Sequence, residues 1–157
     1  MKNIDDTIPL FTGIILFTAC ITAFIGGGEV IYREPPPLTI ELVQSVDEII
    51  ADACSNKDLD EQCFKDVKAI AIQESGINEL AVGDSGASHG AFQINKPAHP
   101  EITLKQAQDM KFASNWTVGY LIDNGYPEHR TYAIQCHNFC NANNGYVDSV
   151  KAIANTL

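Results

Sequence analysis

The chain has 157 residues, with ten Lys and Arg against twenty Asp and Glu, for a net charge of −10. An acidic surplus of that size repels phosphate backbones and anionic headgroups, which excludes nucleic acid and anionic lipid as main partners. With a leading apolar segment set aside, about 120 residues remain, enough for one modest core, and no internal repeat is visible.

From Ile8 to Ile25 eighteen residues run without a charge, and Gly26, Gly27 and Gly28 close the run. That just suffices to cross a bilayer as a helix. Met1 to Asp6 sets Asp5 and Asp6 against Lys2, a poor leader for a cleaved secretory signal. An uncleaved transmembrane helix within an anchor segment, residues 1–34, is therefore expected. Cleavage after the glycines stays open, as does lipidation at Cys20, where Phe17-Thr18-Ala19-Cys20 forms a weak lipoprotein-like box. Lys2 and Arg33 flank the run with one basic residue each, so charge does not orient it. Glu34-Pro35-Pro36-Pro37 reads as a short, stiff, extended spacer. A single domain over residues 35–157 follows.

Within that domain, apolar spacing predicts helices over Ile40 to Ala53, Asp60 to Glu74, Thr103 to Met110, Ala113 to Asp123, Arg130 to Phe139 and Tyr146 to Ala154. Period-two alternation is nearly absent, so the fold is expected to be mainly α, with at most a small β-hairpin near Gly83 to Ile94. The Asp58-x-x-Glu61 and Thr103-x-x-Gln106 spacings resemble capping boxes. Asn115-Trp116-Thr117 matches a glycosylation sequon, a weak pattern read as coincidence.

Apart from Cys20, the cysteines are Cys54, Cys63, Cys136 and Cys140, an even number that allows three pairings. Local pairing, Cys54 with Cys63 and Cys136 with Cys140, is preferred, although cysteines at i and i+4 on one regular helix meet only with distortion. Disulfides would place the domain in an oxidising compartment outside the cytoplasm. A metal site of Cys136, His137 and Cys140 is the competing reading. It lacks a fourth ligand in register, so neither metal nor cofactor is expected.

The most informative stretch is Ala69 to Asn95. Phe64, Val67, Ile70 and Ala71 recur at helical spacing, Glu74 and Ser75 occupy the last turn, and Gly76 stops the helix. A carboxylate closing a buried helix face tends to hold its proton, because burial penalises its charge. A desolvated Glu74 would be a usable proton donor; a Glu74 in solvent would be an ordinary helix terminus. Gly83, Gly86 and Gly90, with Asp84, Ser85 and Ser88, then form a loop that lets backbone approach a ligand closely. Gln93 is the one polar side chain in Ala91-Phe92-Gln93-Ile94. It can bond a ligand amide or satisfy its own loop.

In sequence, Glu74-Ser75-Gly76, Asn78, Ala81, Ser85-Gly86-Ala87 and Gly90-Ala91-Phe92-Gln93-Ile94-Asn95 resemble the E-S…G-x-x-Q signature of the lysozyme-like lytic transglycosylases. Phe112 to Leu121 is similar to that family's following helix, Tyr132 to Asn138 stands where the family has A-x-x-x-Y-N, and Gly145-Tyr146-Val147 with Val150 resembles its closing helix. The resemblance runs from about Ile40 to the C-terminus. It implies a lysozyme-like single domain, mainly α with a small β element. One departure stands out: His137 occupies the place of the family's Tyr, inside a Cys136-x-x-x-Cys140 pair outside the general pattern.

The resemblance implies cleavage of the β-1,4 bond between N-acetylmuramic acid and N-acetylglucosamine in peptidoglycan. Glu74 would protonate the glycosidic oxygen and then, as carboxylate, deprotonate the C6 hydroxyl that closes a 1,6-anhydro ring. A second carboxylate, which ordinary glycosidases need, is not marked in the sequence, with Asp84 and Asp109 the nearest candidates. Ser75 would orient Glu74 or bond to backbone. Gln93 and Asn138 would bond N-acetyl groups, Phe92 or Tyr146 would wall the cleft, and His137 would hydrogen-bond near Glu74 or pack beside a disulfide. The expected partners are peptidoglycan glycan strands, the membrane through the N-terminal helix, and a secretion, conjugation or virion assembly. The expected location is periplasmic and membrane-anchored, or virion-associated. A hydrolytic lysozyme and a non-catalytic wall-binding or assembly protein are the alternatives.

Overall fold

Ser45 starts the first helix, α1 (Val46–Ser55), through a reciprocal capping box: its Oγ accepts from the Glu48 amide, and the Glu48 carboxylate accepts from the Ser45 amide at 2.7 Å. The computed structural model describes residues 43–157, so the anchor expected over residues 1–34, the Cys20 box and the proline spacer lie outside the described residues. Among the described residues no helix is long and apolar enough to cross a membrane. The cap also corrects the start expected at Ile40: Val43 and Gln44 are not helical, because Ser45 supplies the acceptor at which the helix begins.

The second helix, α2 (Glu61–Ser75), is capped by Asp60, whose side chain accepts from the Gln62 amide at 3.0 Å. The box expected at Asp58 does not form, since Asp58 sits at φ 55° in the turn between the helices. Gly76 ends α2 in the left-handed conformation, φ 66°, with its amide on the Ile72 carbonyl and that of Ile77 on Ala71. Ile50, Ala53 and Cys54 of α1 join Cys63, Val67, Ile70 and Ala71 of α2 in the core.

A three-stranded antiparallel sheet follows, where at most a hairpin was expected. Its strands are β1 (Val82–Gly83), β2 (Ser88–His89) and β3 (Ile94–Asn95), in that order. Val82 pairs with His89, and His89 with Ile94. One 3₁₀ turn over Asp84–Gly86 joins β1 to β2. Positive φ at Asp84, Ser85 and Gly86 makes that turn tight, in keeping with its composition.

Gly90 is where the sheet meets the next helices. Its φ is +80°, and a Cβ there would lie 1.8 Å from the Ala107 carbonyl oxygen. Gly90→Ala is expected to destabilise the fold by about 2–4 kcal/mol, from left-handed strain and overlap with backbone that cannot rotate away. A lower denaturation midpoint at unchanged slope is the reading expected in urea.

Of the two helices expected over Thr103 to Met110 and Ala113 to Asp123, the first ends early and the second starts early. Thr103 and Gln106 form the expected capping box for α3 (Leu104–Ala107), which ends at Gln108. Asp109 caps α4 (Met110–Asp123), accepting from the Phe112 amide at 2.8 Å, and so starts it three residues before Ala113. The Asp109 cap therefore moves the boundary between the two helices toward the N-terminus. Thr117 of the sequon is fully buried within α4.

The last helices are α5 (Arg130–Asn138), from which Phe139 departs in extended backbone, and α6 (Tyr146–Ala154), as expected. α2 packs against α6, α1 and α4, and α5 packs against α4 and α6. Cys54 is bonded to Cys63 and Cys136 to Cys140, the local pairing. The fold is mainly helical with one small sheet.

A buried charge cluster ties α2 to the start of α5. Asp66, fully buried, accepts from Arg130 Nε at 2.6 Å, from Arg130 Nη2, from the Tyr126 hydroxyl at 2.9 Å and from Gln62 Nε2 at 3.1 Å. Hydrogen bonding to Asp66 raises the Arg130 pKa, and burial together with the Asp66 charge raises that of the Tyr126 phenol.

Candidate active site

The end of α2, the sheet, the His99 loop, α4 and the end of α5 enclose a cleft of about 770 Å³. Glu74 stands in it, delivered by the last turn of α2 just before Gly76 reverses the chain. Its Oε1 accepts a 2.6 Å hydrogen bond from the Tyr146 hydroxyl on α6 and lies 3.5 Å from His137 Nδ1 on α5. Three helices thus converge on one carboxylate oxygen.

The proton arrangement follows from counting donors. A phenol has one proton, and the 2.6 Å contact commits it to Glu74, which accepts. The 3.3 Å contact between Tyr146 Oη and His137 Nδ1 is then filled by Nδ1–H donating to the phenolic oxygen, which assigns the hydrogen to Nδ1. His137 Nε2 is buried with no hydrogen-bond partner among the described residues. Burial, then the Glu74 charge and its hydrogen bond, push the Tyr146 pKa far up, so the phenol remains a neutral donor wherever a carboxylate titrates.

The other expected site residues fall differently. Ser75 does not reach the Glu74 carboxylate: its Oγ donates to the Ala91 carbonyl at 2.8 Å and accepts from the Asn78 amide at 2.9 Å, pinning α2 to the sheet loop. Gln93 lines the cleft at φ 47°, but its Nε2 is used on the Gly90 carbonyl at 2.9 Å, the loop-satisfying option. Its Oε1 lies over Gly83, where a Cβ would sit 2.2 Å away. Asn138 also lines the cleft, its Oδ1 accepting from Asn144 at 2.8 Å. Phe92 backs the cleft from the core with no exposed surface, and Tyr146 contributes its hydroxyl to Glu74 rather than an apolar wall.

The two candidate second carboxylates, Asp84 and Asp109, are separated by the fold. Asp109 is occupied as the α4 cap, whereas Asp84 lines the cleft and accepts from the Ser88 hydroxyl, which also accepts from Asn95 Nδ2 at 3.3 Å. Sequence reading passed over the opposite wall. There Trp116 and Tyr120 stack with ring centroids 5.1 Å apart, and the His99 ring stands edge-on 4.7 Å from Trp116. The four-residue spacing of Trp116 and Tyr120 was the available signal, since it puts both on one face of α4. His99 sits in a proline-flanked loop that offered none.

Among the described residues no group of three or more His, Cys, Asp or Glu side chains could hold a metal ion. Cys136, of the metal alternative, is instead bonded to Cys140. No protein family, curated protein or solved structure matches the chain.

Proposed function

We propose that this domain is a peptidoglycan lytic transglycosylase of lysozyme-like fold, with Glu74 as its single acid and base. The observation that carries the reading is the cleft carboxylate with one oxygen engaged by Tyr146 and His137. With Oε1 occupied, Oε2, which accepts no hydrogen bond among the described residues, is the atom to carry the transferred proton. Glu74 gives that proton to the glycosidic oxygen as the bond to the muramic C1 breaks. The carboxylate formed then takes the C6 hydroxyl proton while that oxygen attacks C1, closing the 1,6-anhydro ring without water and restoring the acid.

Tyr146 and His137 together supply what a single family tyrosine would, a neutral donor that fixes the carboxylate's rotamer. Tyr146→Phe removes a short, charge-assisted hydrogen bond, so kcat is expected to fall about 10–100-fold with KM little changed. An unchanged kcat in steady-state assays would remove Tyr146 from this role.

The two disulfides favour an oxidising compartment, in keeping with a periplasmic or virion-associated domain held at the membrane by the N-terminal segment. A domain so placed would open the wall locally for a secretion, conjugation or virion assembly. The second reading is a hydrolytic lysozyme, favoured by Asp84 lining the same cleft, where it would activate water. Mass spectrometry of muropeptides released from purified sacculi by the full chain in neutral detergent separates the readings. Anhydro ends are the expected product, reducing ends would mean Asp84-assisted hydrolysis, and no release would leave a wall-binding protein.

A further inference from the structure

We propose that His99, Trp116 and Tyr120 form a binding platform for the apolar face of an uncharged N-acetylhexosamine ring, so that the cleft recognises the glycan itself and not the acidic groups of attached peptides. The inference deepens the glycan reading of the cleft and rests on it for ligand class.

Trp116 and Tyr120 project from consecutive turns of α4, are half-buried, and stack at an interplanar angle of 16°. His99 packs edge-on against both, at 4.7 and 5.5 Å, and its Nδ1 lies 3.6 Å from the Glu101 carboxylate. All three line the cleft that contains Glu74. Partly exposed aromatic rings left at a cleft wall are poorly hydrated, and the axial C–H face of a pyranose is the complementary surface. From Tyr120 the file continues to His137, with ring centroids 6.4 Å apart, and so reaches the carboxylate. Each step is comparable to one sugar ring, which places the Trp116 ring away from the bond under attack.

Charge narrows the ligand further. Glu74 and Asp84 line the cleft, and among its described lining residues there is no Lys or Arg. A uronate, a sulfated sugar or a free peptide carboxylate would meet like charge with no Lys or Arg in the lining to balance it, only the His99 and His137 rings. An N-acetylated sugar meets neutral amides instead, on Gln93, Asn95 and Asn138.

Trp116 is the only tryptophan in the chain, so its fluorescence reports on this wall alone. The test titrates the full-length Glu74→Gln chain, in a non-aromatic neutral detergent, with N-acetylchitohexaose and with a hexuronate of equal length. A saturable emission change is expected with the first, and at least about 10-fold weaker binding of the second. By calorimetry, Trp116→Ala is expected to weaken chitohexaose binding about 10-fold or more, with the helical circular dichroism and cooperative melt retained. Trp116→Phe, which keeps an aromatic face, is expected to retain most of the affinity. No saturable response, equal binding of the uronate, or undiminished binding by Trp116→Ala would each overturn the platform. Its failure is separable from that of the transglycosylase: chitohexaose binding reported by Trp116, without cleavage of sacculi by the unmodified chain, sinks the enzyme alone. Anhydro products without any Trp116 response sink the platform alone.

Discussion

Glu74→Gln is expected to lower the release of 1,6-anhydro muropeptides from purified sacculi by about 10²–10⁴-fold, the range general acid–base catalysis supplies. Glutamine keeps the size of the side chain and an oxygen to accept the Tyr146 hydrogen bond, so packing at the end of α2 should change little. What it removes is the transferable proton. Matching circular dichroism and melting curves for the two proteins would confine the loss to chemistry. If anhydro product persisted at the unmodified rate, Glu74 would not be the acid, and the proposal would fail with it. A loss confined to reducing-end products would point to hydrolysis, with Asp84 as the residue to test next.

The second large effect belongs to the buried cluster at Asp66. Removing one partner of a buried, hydrogen-bonded ion pair leaves the other charged and desolvated, at a cost of about 3–5 kcal/mol. Asp66→Ala leaves the buried Tyr126 hydroxyl without its acceptor and the Arg130 guanidinium, 30% exposed, without its carboxylate, so a value at the lower end of that range is expected, with Tm lowered by roughly 10 °C. Arg130→Met leaves Asp66 fully buried with Tyr126 and Gln62 as its remaining donors. The double variant is therefore expected to be less unstable than the sum of the two single changes. Strict additivity in thermal melts would mean that the contacts contribute independently and that the cluster is not a unit. Because Asp66 lies in α2 and Arg130 opens α5, the cluster also fixes the two helices that carry Glu74 and His137.

The helices were legible where burial and local chemistry agreed. α2 and α6 carry apolar residues at helical spacing, and the Gly76 stop needs only the left-handed conformation that glycine adopts freely. Misread boundaries came from competing caps. Ser45 and Asp109 each set a start a few residues from the expected one, whereas at α2 the start at Asp60 held and only the capping box at Asp58 failed; spacing alone does not rank neighbouring caps. The apolar spacing around Met110 carried the first helix up to that residue and delayed the second to Ala113, where the Asp109 cap sets the boundary instead. The three short strands are two residues each, below the length at which alternation becomes a signal.

The candidate site divides along the same line. The sequence alone was enough to show that a carboxylate closes the helix α2 and that a glycine-punctuated loop follows it, and it favoured, among three possibilities, the local pairing of the four cysteines that the structure has. These are properties of neighbours along the chain, and a chain of this length fixes them with short-range geometry. The tertiary structure decided that the hydroxyl on Glu74 belongs to Tyr146, 72 residues away, and that Ser75 serves the backbone. It also separated Asp84 from Asp109 and turned Trp116, Tyr120 and His99 into one wall of the cleft. Those outcomes depend on how α2, α4, α5 and α6 pack around a common core. A hydrogen bond or a stacked ring requires placement to within a fraction of an ångström, which residue type and spacing leave undetermined and close packing supplies.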